Sequence, residues 1–128
     1  MRRGKIDISQ LKTLPERHEL ETADYLANLG YDIEFIAPQN SPNVHTPDIF
    51  MDCVSWEIKC PKGKSKRTIE NNFRKAKQQA ENIIFDLRRI NIPEEKCMLE
   101  LKRRFAQKRD VKRLLIIKKS GEILKFLR

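Results

Sequence analysis

The chain is poor in the residues from which many catalytic and metal-binding motifs are built. It has three cysteines, Cys53, Cys60 and Cys97, an odd number with no CxxC pair. That argues against a disulfide framework and reads as a reduced interior. Only His18 and His45 could join them, and no zinc-ligand spacing results. Neither histidine stands in motif spacing with a serine, cysteine or carboxylate, so each is either a lone general base or an ordinary hydrogen-bonded histidine. The four glycines are scattered, which leaves no phosphate-cradling loop. The longest apolar runs, such as Leu114-Leu115-Ile116-Ile117, fall far short of a membrane span. The basic start Met1-Arg2-Arg3-Gly4-Lys5 is not followed by an apolar signal segment. No internal repeat or low-complexity tract interrupts the pattern. A protein kept in, or delivered into, a cytosol is the expectation.

What the chain has in excess is positive charge: 27 Lys/Arg against 18 Asp/Glu over 128 residues, a net +9. The length predicts one domain able to bury about 65–70% of its extended-chain surface. Residues 1–87 hold 13 Lys/Arg and 13 Asp/Glu, so the whole excess lies in residues 88–128. Such an imbalance is either a solvated basic helix or a surface that meets phosphates.

The pattern predicts one domain with an arm over residues 1–12, a core over 13–90 and a basic helix with terminal strands over 91–128. Thr13-Leu14-Pro15-Glu16 has capping-box spacing and predicts a helix from Thr13 to Gly30. Ile33, Phe35 and Ala37 alternate as in a half-buried strand. Residues 38–47 read as a loop, and 48–54 and 55–60 as a hairpin reversing at Asp52-Cys53. Ile69, Phe73, Ala76, Ala80, Ile83, Leu87 and Ile90 recur at steps of three and four, predicting one long helix from Arg67 to Ile90. A third helix from Pro93 to Gln107 and strands at 111–118 and 122–127 complete the chain. The fold class expected is α/β (α+β), a mixed central sheet of about five strands flanked by helices.

Chemistry concentrates in Thr46-Pro47-Asp48 and Glu57-Ile58-Lys59. Glu57 and Lys59 share one strand face, and a hairpin folded at Asp52-Cys53 sets Asp48 directly opposite Glu57. Paired like charges are destabilising, a cost easier to understand if a cation lies between them. Two carboxylates and water are the expected protein share of a Mg²⁺ site, with Lys59 placed to hold a water or a developing negative charge. The alternative is a solvent-facing strand in which Lys59 merely neutralises Glu57. Glu19 falls on the core-facing stripe of the first helix with Thr22, Ala23 and Leu26, so it needs a partner: a basic side chain, or the same metal. Thr68, Asn72, Lys75 and Gln79 border the apolar seam of the long helix, either as its solvent boundary or, for Lys75 and Gln79, within reach of a phosphate or a nucleophilic water. Cys53, Cys60 and Trp56 read as packing residues. Lys62, Lys64, Lys66, Arg67, Lys75, Arg103 and Arg104 are candidate contacts to a nucleic-acid backbone.

Pro47-Asp48 and Glu57-Ile58-Lys59, preceded by a helix bearing Glu19, resemble the PD-(D/E)XK nuclease superfamily, whose core is a helix, a three-strand meander, a helix and a strand. Over about residues 17–90 the resemblance is more specific. His18-Glu19-Leu20-Glu21-Thr22-Ala23, Leu26, Gly30-Tyr31-Asp32, Thr46-Pro47-Asp48, Trp56-Glu57-Ile58-Lys59, Ser65-Lys66-Arg67-Thr68-Ile69-Glu70 and Ala76 to Ala80 are similar to the C-terminal tRNA-nuclease domains of CdiA-type contact-dependent growth inhibition toxins. The resemblance implies a three-layer nuclease fold and metal-dependent cleavage of RNA, often tRNA, neutralised by a cognate immunity protein. It implies Glu19, Asp48 and Glu57 as ligands of Mg²⁺ (or Mn²⁺), or as positioners of its ligands. Lys59 would be the catalytic lysine, and Thr68 and Gln79 would be supporting residues. A DNA endonuclease of restriction or junction-resolving type on the same fold, and a non-enzymatic basic nucleic-acid-binding module, are the alternatives.

Overall fold

A computed structural model describes residues 2–39, 46–65 and 67–128. A seven-stranded mixed sheet forms the middle layer, its strands lying side by side in chain order. Helix α1 (Arg17–Asn28) covers one face; α2 (Thr68–Lys77) and α3 (Glu94–Gln107) cover the other. The strands are β1 (Ile6–Asp7), β2 (Ile33–Phe35), β3 (Ile49–Met51), β4 (Val54–Lys59), β5 (Asn82–Asp86), β6 (Arg113–Ile117) and β7 (Ile123–Leu127). β1–β2, β4–β5 and β5–β6 pair parallel; the other neighbours are antiparallel.

Seven strands replace the five expected, for two reasons. The expected arm contributes β1. Gly4 donates its N–H to the Ala27 carbonyl, and its Cα approaches so closely that a Cβ there would lie 1.9 Å from the Tyr31 oxygen. That contact leads the chain into the parallel pairing of Ile6 with Ile33. The second addition corrects the long helix. It ends at Lys77, and Asn82–Asp86 form a central strand buried at every position. Ile83, Leu87 and Ile90 satisfy helical spacing, but so does a strand covered on both faces, where side chains of either parity are apolar. Here Ile83 and Phe85 face α2 and α3, while Ile84 faces α1. Phe73 of α2 stacks on Phe85 with ring centroids 6.0 Å apart.

Helix α1 is also shorter than expected. Glu16 is its N-cap, with extended backbone (φ −62°, ψ 150°) and no side-chain cap bond. Pro15 drives Leu14 out of the helical region, and Leu14 is 76% exposed, with no core contact to reward a further turn. Thr22, Ala23, Leu26 and Ala27 form the buried stripe, as their spacing requires. The hairpin reverses where expected: Met51 pairs with Val54, while Asp52 and Cys53 both take positive φ (54° and 66°). Two positive-φ residues fit the primed turn that matches strand twist. They do so here without glycine.

Candidate active site

The hairpin register decides what meets at the centre. The ladder begins at the pair Ile49–Trp56, and Asp48 sits in the bend just before it, within interaction range of Glu57. Trp56 and Ile58 point into the α1-side core, with the Trp56 indole N–H donating to the Met51 carbonyl at 2.9 Å. Alternation therefore turns Glu57 and Lys59 to the other face, level with Ile83 and Phe85 of β5. Asp48 is held by the backbone: its N–H donates to the Trp56 carbonyl at 2.9 Å, and its Oδ2 accepts the Ile58 N–H at 2.8 Å.

Glu57 is only 3% exposed. Its Oε2 lies 3.4 Å from Lys59 Nζ, while its Oε1 has no hydrogen-bond partner. Burial, and then the nearby charge of Asp48, push the Glu57 carboxyl up to about 8, even against the opposing pull of Lys59. Glu19, half-buried on the first turn of α1, is pushed up to about 7 by burial and by the same Asp48. Asp48 is thus within interaction range of Glu57 and of Glu19, while Lys59 pairs with Glu57. Asp48, Glu57 and Lys59, chosen from sequence, are neighbours, and Glu19 joins them through Asp48.

The carboxylates fit a hard divalent cation by the chemistry of their donors. A buried anionic oxygen with no donor, next to another carboxylate, is satisfied by a proton or by a cation. Among the described residues no group of three or more His, Cys, Asp or Glu side chains forms a ready metal cage. The fit is therefore the open one, with few carboxylates and the remaining positions left to water and phosphate.

The other candidates lie further out. Thr68 opens α2 and Gln79 follows its end; among the described residues neither hydrogen-bonds the carboxylate cluster. Lys62, Lys64 and Arg67 are exposed on the connection leaving β4, and Lys75 is exposed on α2. Lys66 and His45 lie outside the described residues. Arg103 pairs with Glu100, and Arg104 with Glu100 at 3.2 Å and Glu70 at 3.3 Å. Part of the C-terminal basic excess is thus spent within the fold. His18 Nδ1 is 3.4 Å from Glu16.

One polar constellation escaped the sequence reading. Asp86, 2% exposed at the end of β5, accepts the Arg88 guanidinium at both oxygens (2.9 and 2.8 Å) and the Thr22 hydroxyl at 2.7 Å. Burial alone would raise its carboxyl, but these donors outweigh it and the result is a lowered pKa. Arg88 also stacks 4.2 Å over the Tyr25 ring, which ties the end of β5 to α1. Cys60 sits against Thr22, and burial pushes its thiol up to about 11, so it packs rather than attacks. With β5 read as helix, no local signal could pair Asp86 with Thr22.

A domain with three layers and a carboxylate–lysine cluster at the ends of β3 and β4 is the class these observations define. The family model for the contact-dependent growth inhibition CdiA C-terminal domain matches residues 45–123, and the chain belongs to that family. The matched span includes Asp48, Glu57 and Lys59 but not Glu19. A chain of the CdiA-CT/CdiI toxin and immunity complex from Burkholderia pseudomallei shares the fold, with a TM-score of 0.72 and 18% identity over 98% of this chain and 100% of that one. No curated protein matches. Among the described residues no helix is long and apolar enough to cross a membrane.

Proposed function

We propose that this toxin domain is a metal-dependent nuclease of PD-(D/E)XK type that hydrolyses RNA phosphodiester bonds, with tRNA as its substrate. The observation that carries this reading is the buried Glu57 carboxyl beside Asp48, with Oε2 paired to Lys59 and Oε1 left without a hydrogen-bond partner. A buried acceptor left unpaired next to a second carboxylate costs stability, which is unexpected in a site with only a structural role. The tRNA assignment rests on the resemblance of residues 17–90 to tRNA-cleaving domains and on the +9 charge.

Asp48 and Glu57 would hold Mg²⁺ (or Mn²⁺), with Glu19 positioning Asp48. When bound, the metal would lower the pKa of a water and offset charge on the scissile phosphate. Lys59 Nζ, anchored by Glu57, orients the attacking water and donates to the oxygen on which negative charge builds. Glu57's burial keeps bulk water from screening that interaction. Lys62, Lys64 and Arg67, leaving β4 just after Lys59, are placed to hold the flanking backbone. A cognate immunity protein that blocks this activity, and delivery into a target cell's cytosol, complete the proposal.

The test is incubation of end-labelled total tRNA and duplex DNA with the protein, with and without Mg²⁺. Cleavage of a defined tRNA position that disappears with chelator, and with Lys59→Ala, is expected. Preferential cleavage of DNA would move the domain to a DNA endonuclease. Binding without cutting at any Mg²⁺ or Mn²⁺ concentration would leave only a nucleic-acid-binding module.

A further inference from the structure

Beside the carboxylates lies a cavity of about 540 Å³ with Glu19 and Asp48 in its lining. Its volume falls in the roughly 300–1,000 Å³ range of small-molecule sites. The segment that fails to form the first turn of α1 supplies one side, through Thr13, Leu14 and Pro15, together with Gln10 before it. The stretch after β2 supplies another, ending in Pro38. Leu14 is the most exposed large apolar side chain among the described residues, at 76%. Gln10, Lys12 and Thr13 bring polar side chains to the cavity margin.

This mixture selects an occupant. Aliphatic and proline surfaces favour a flat apolar face, and a few polar groups at the margin favour polar edges. The carboxylates of Glu16, Glu19 and Asp48 in the same lining disfavour an anion inside the cavity. A neutral nucleobase satisfies both conditions, while its own phosphate remains at the carboxylate end. Resting on the nuclease reading above, we infer that this cavity is a nucleobase subsite. It takes the unpaired base next to the scissile phosphate, so the domain cuts single-stranded segments and loops of RNA in preference to duplex. A base held in a helical stack cannot enter a side pocket until it is unpaired and swung out, and duplex resists this more than a loop does.

The experiment uses an RNA hairpin cut in its loop, with Mg²⁺. The cut is first mapped, and the nucleotides on either side are then replaced one at a time by abasic sites. Leu14→Asp is made in parallel; that side chain is exposed, so the fold tolerates the change. Expected results are at least tenfold slower cleavage when the loop is annealed to its complement, about tenfold lower kcat/KM for one abasic position, and a similar loss for Leu14→Asp on intact RNA. The two losses should not multiply when combined, because both remove one contact. Equal rates on loop and duplex, with neither the abasic site nor Leu14→Asp having any effect, would overturn the subsite and leave the nuclease standing. No cleavage of any RNA with Mg²⁺ or Mn²⁺ would overturn both.

Discussion

Replacing Glu57 by Gln removes an ionisable group whose folded form resists ionisation. The Glu57 carboxyl is raised from 4.5 to about 8 by burial and by Asp48. A carboxyl raised on folding contributes stability that is present below its unfolded pKa and is lost as pH rises through the folded value. The metal-free protein should therefore weaken between pH 4.5 and pH 8. At about 1.4 kcal/mol per pKa unit the full loss is about 5 kcal/mol. Burial is the larger cause and Asp48 the second, and relaxation with water entry around the charged form leaves about half, ~2–3 kcal/mol, to be observed. Glu57→Gln, uncharged at every pH, should match wild type near pH 5 and exceed it at pH 8 by that amount. For a chain of 128 residues this is roughly a 10 °C rise in Tm. Thermal unfolding of both proteins in chelator at pH 5, 6.5 and 8 reads the difference directly. Saturating Mg²⁺ at pH 8 should then stabilise wild type and not the variant. A Tm difference that does not change with pH, or a Glu57→Gln protein less stable than wild type at pH 8, would refute the uncompensated charge. The metal reading would lose its main support with it.

Six further substitutions probe other parts of the fold. Cys53→Gly relieves a positive φ in the hairpin turn and should stabilise by about 1 kcal/mol, seen as a higher denaturant midpoint at unchanged m-value. Arg88→Ala strands the buried Asp86 carboxylate and should cost about 3–5 kcal/mol. Asp86 has a lowered pKa, so the stability it contributes holds above its unfolded pKa near 3.8 and falls away as pH drops; in Arg88→Ala the acid limb of a stability–pH curve should flatten. Lys62→Ala, Lys64→Ala and Arg67→Ala should each lower the slope of log binding constant against log salt by about 1. Arg104→Ala, already engaged by Glu70 and Glu100, should leave that slope nearly unchanged; equal slopes for all four variants would disprove the division.

Local spacing was enough to determine the strand pair that carries the candidate site. Two-residue alternation put Glu57 and Lys59 on one face and Trp56 on the other, and a reversal at Asp52-Cys53 brought Asp48, just before the paired residues, within range of Glu57. Three- and four-residue spacing likewise placed Glu19 on the inner side of α1 with Thr22 and Ala23. The basic excess was legible as a sum over residues 88–128. Which of its members remain available to a ligand was not, because Arg103 and Arg104 are claimed by carboxylates on their own and a neighbouring helix. Strand β5 was beyond local reading. Its apolar residues obey helical spacing, and only the presence of helices on both sheet faces makes a fully buried strand the better solution. Strand β1 is two residues long and exists because β2 is there to pair with it. The Asp86–Arg88–Thr22 tie, the cavity between residues 10–16 and Pro38, and the raised pKa values of Glu19 and Glu57 have the same origin. Periodicity is a property of neighbours along the chain; the cost of a buried charge, and the partner that offsets it, depend on residues distant in sequence that folding brings within a few ångströms.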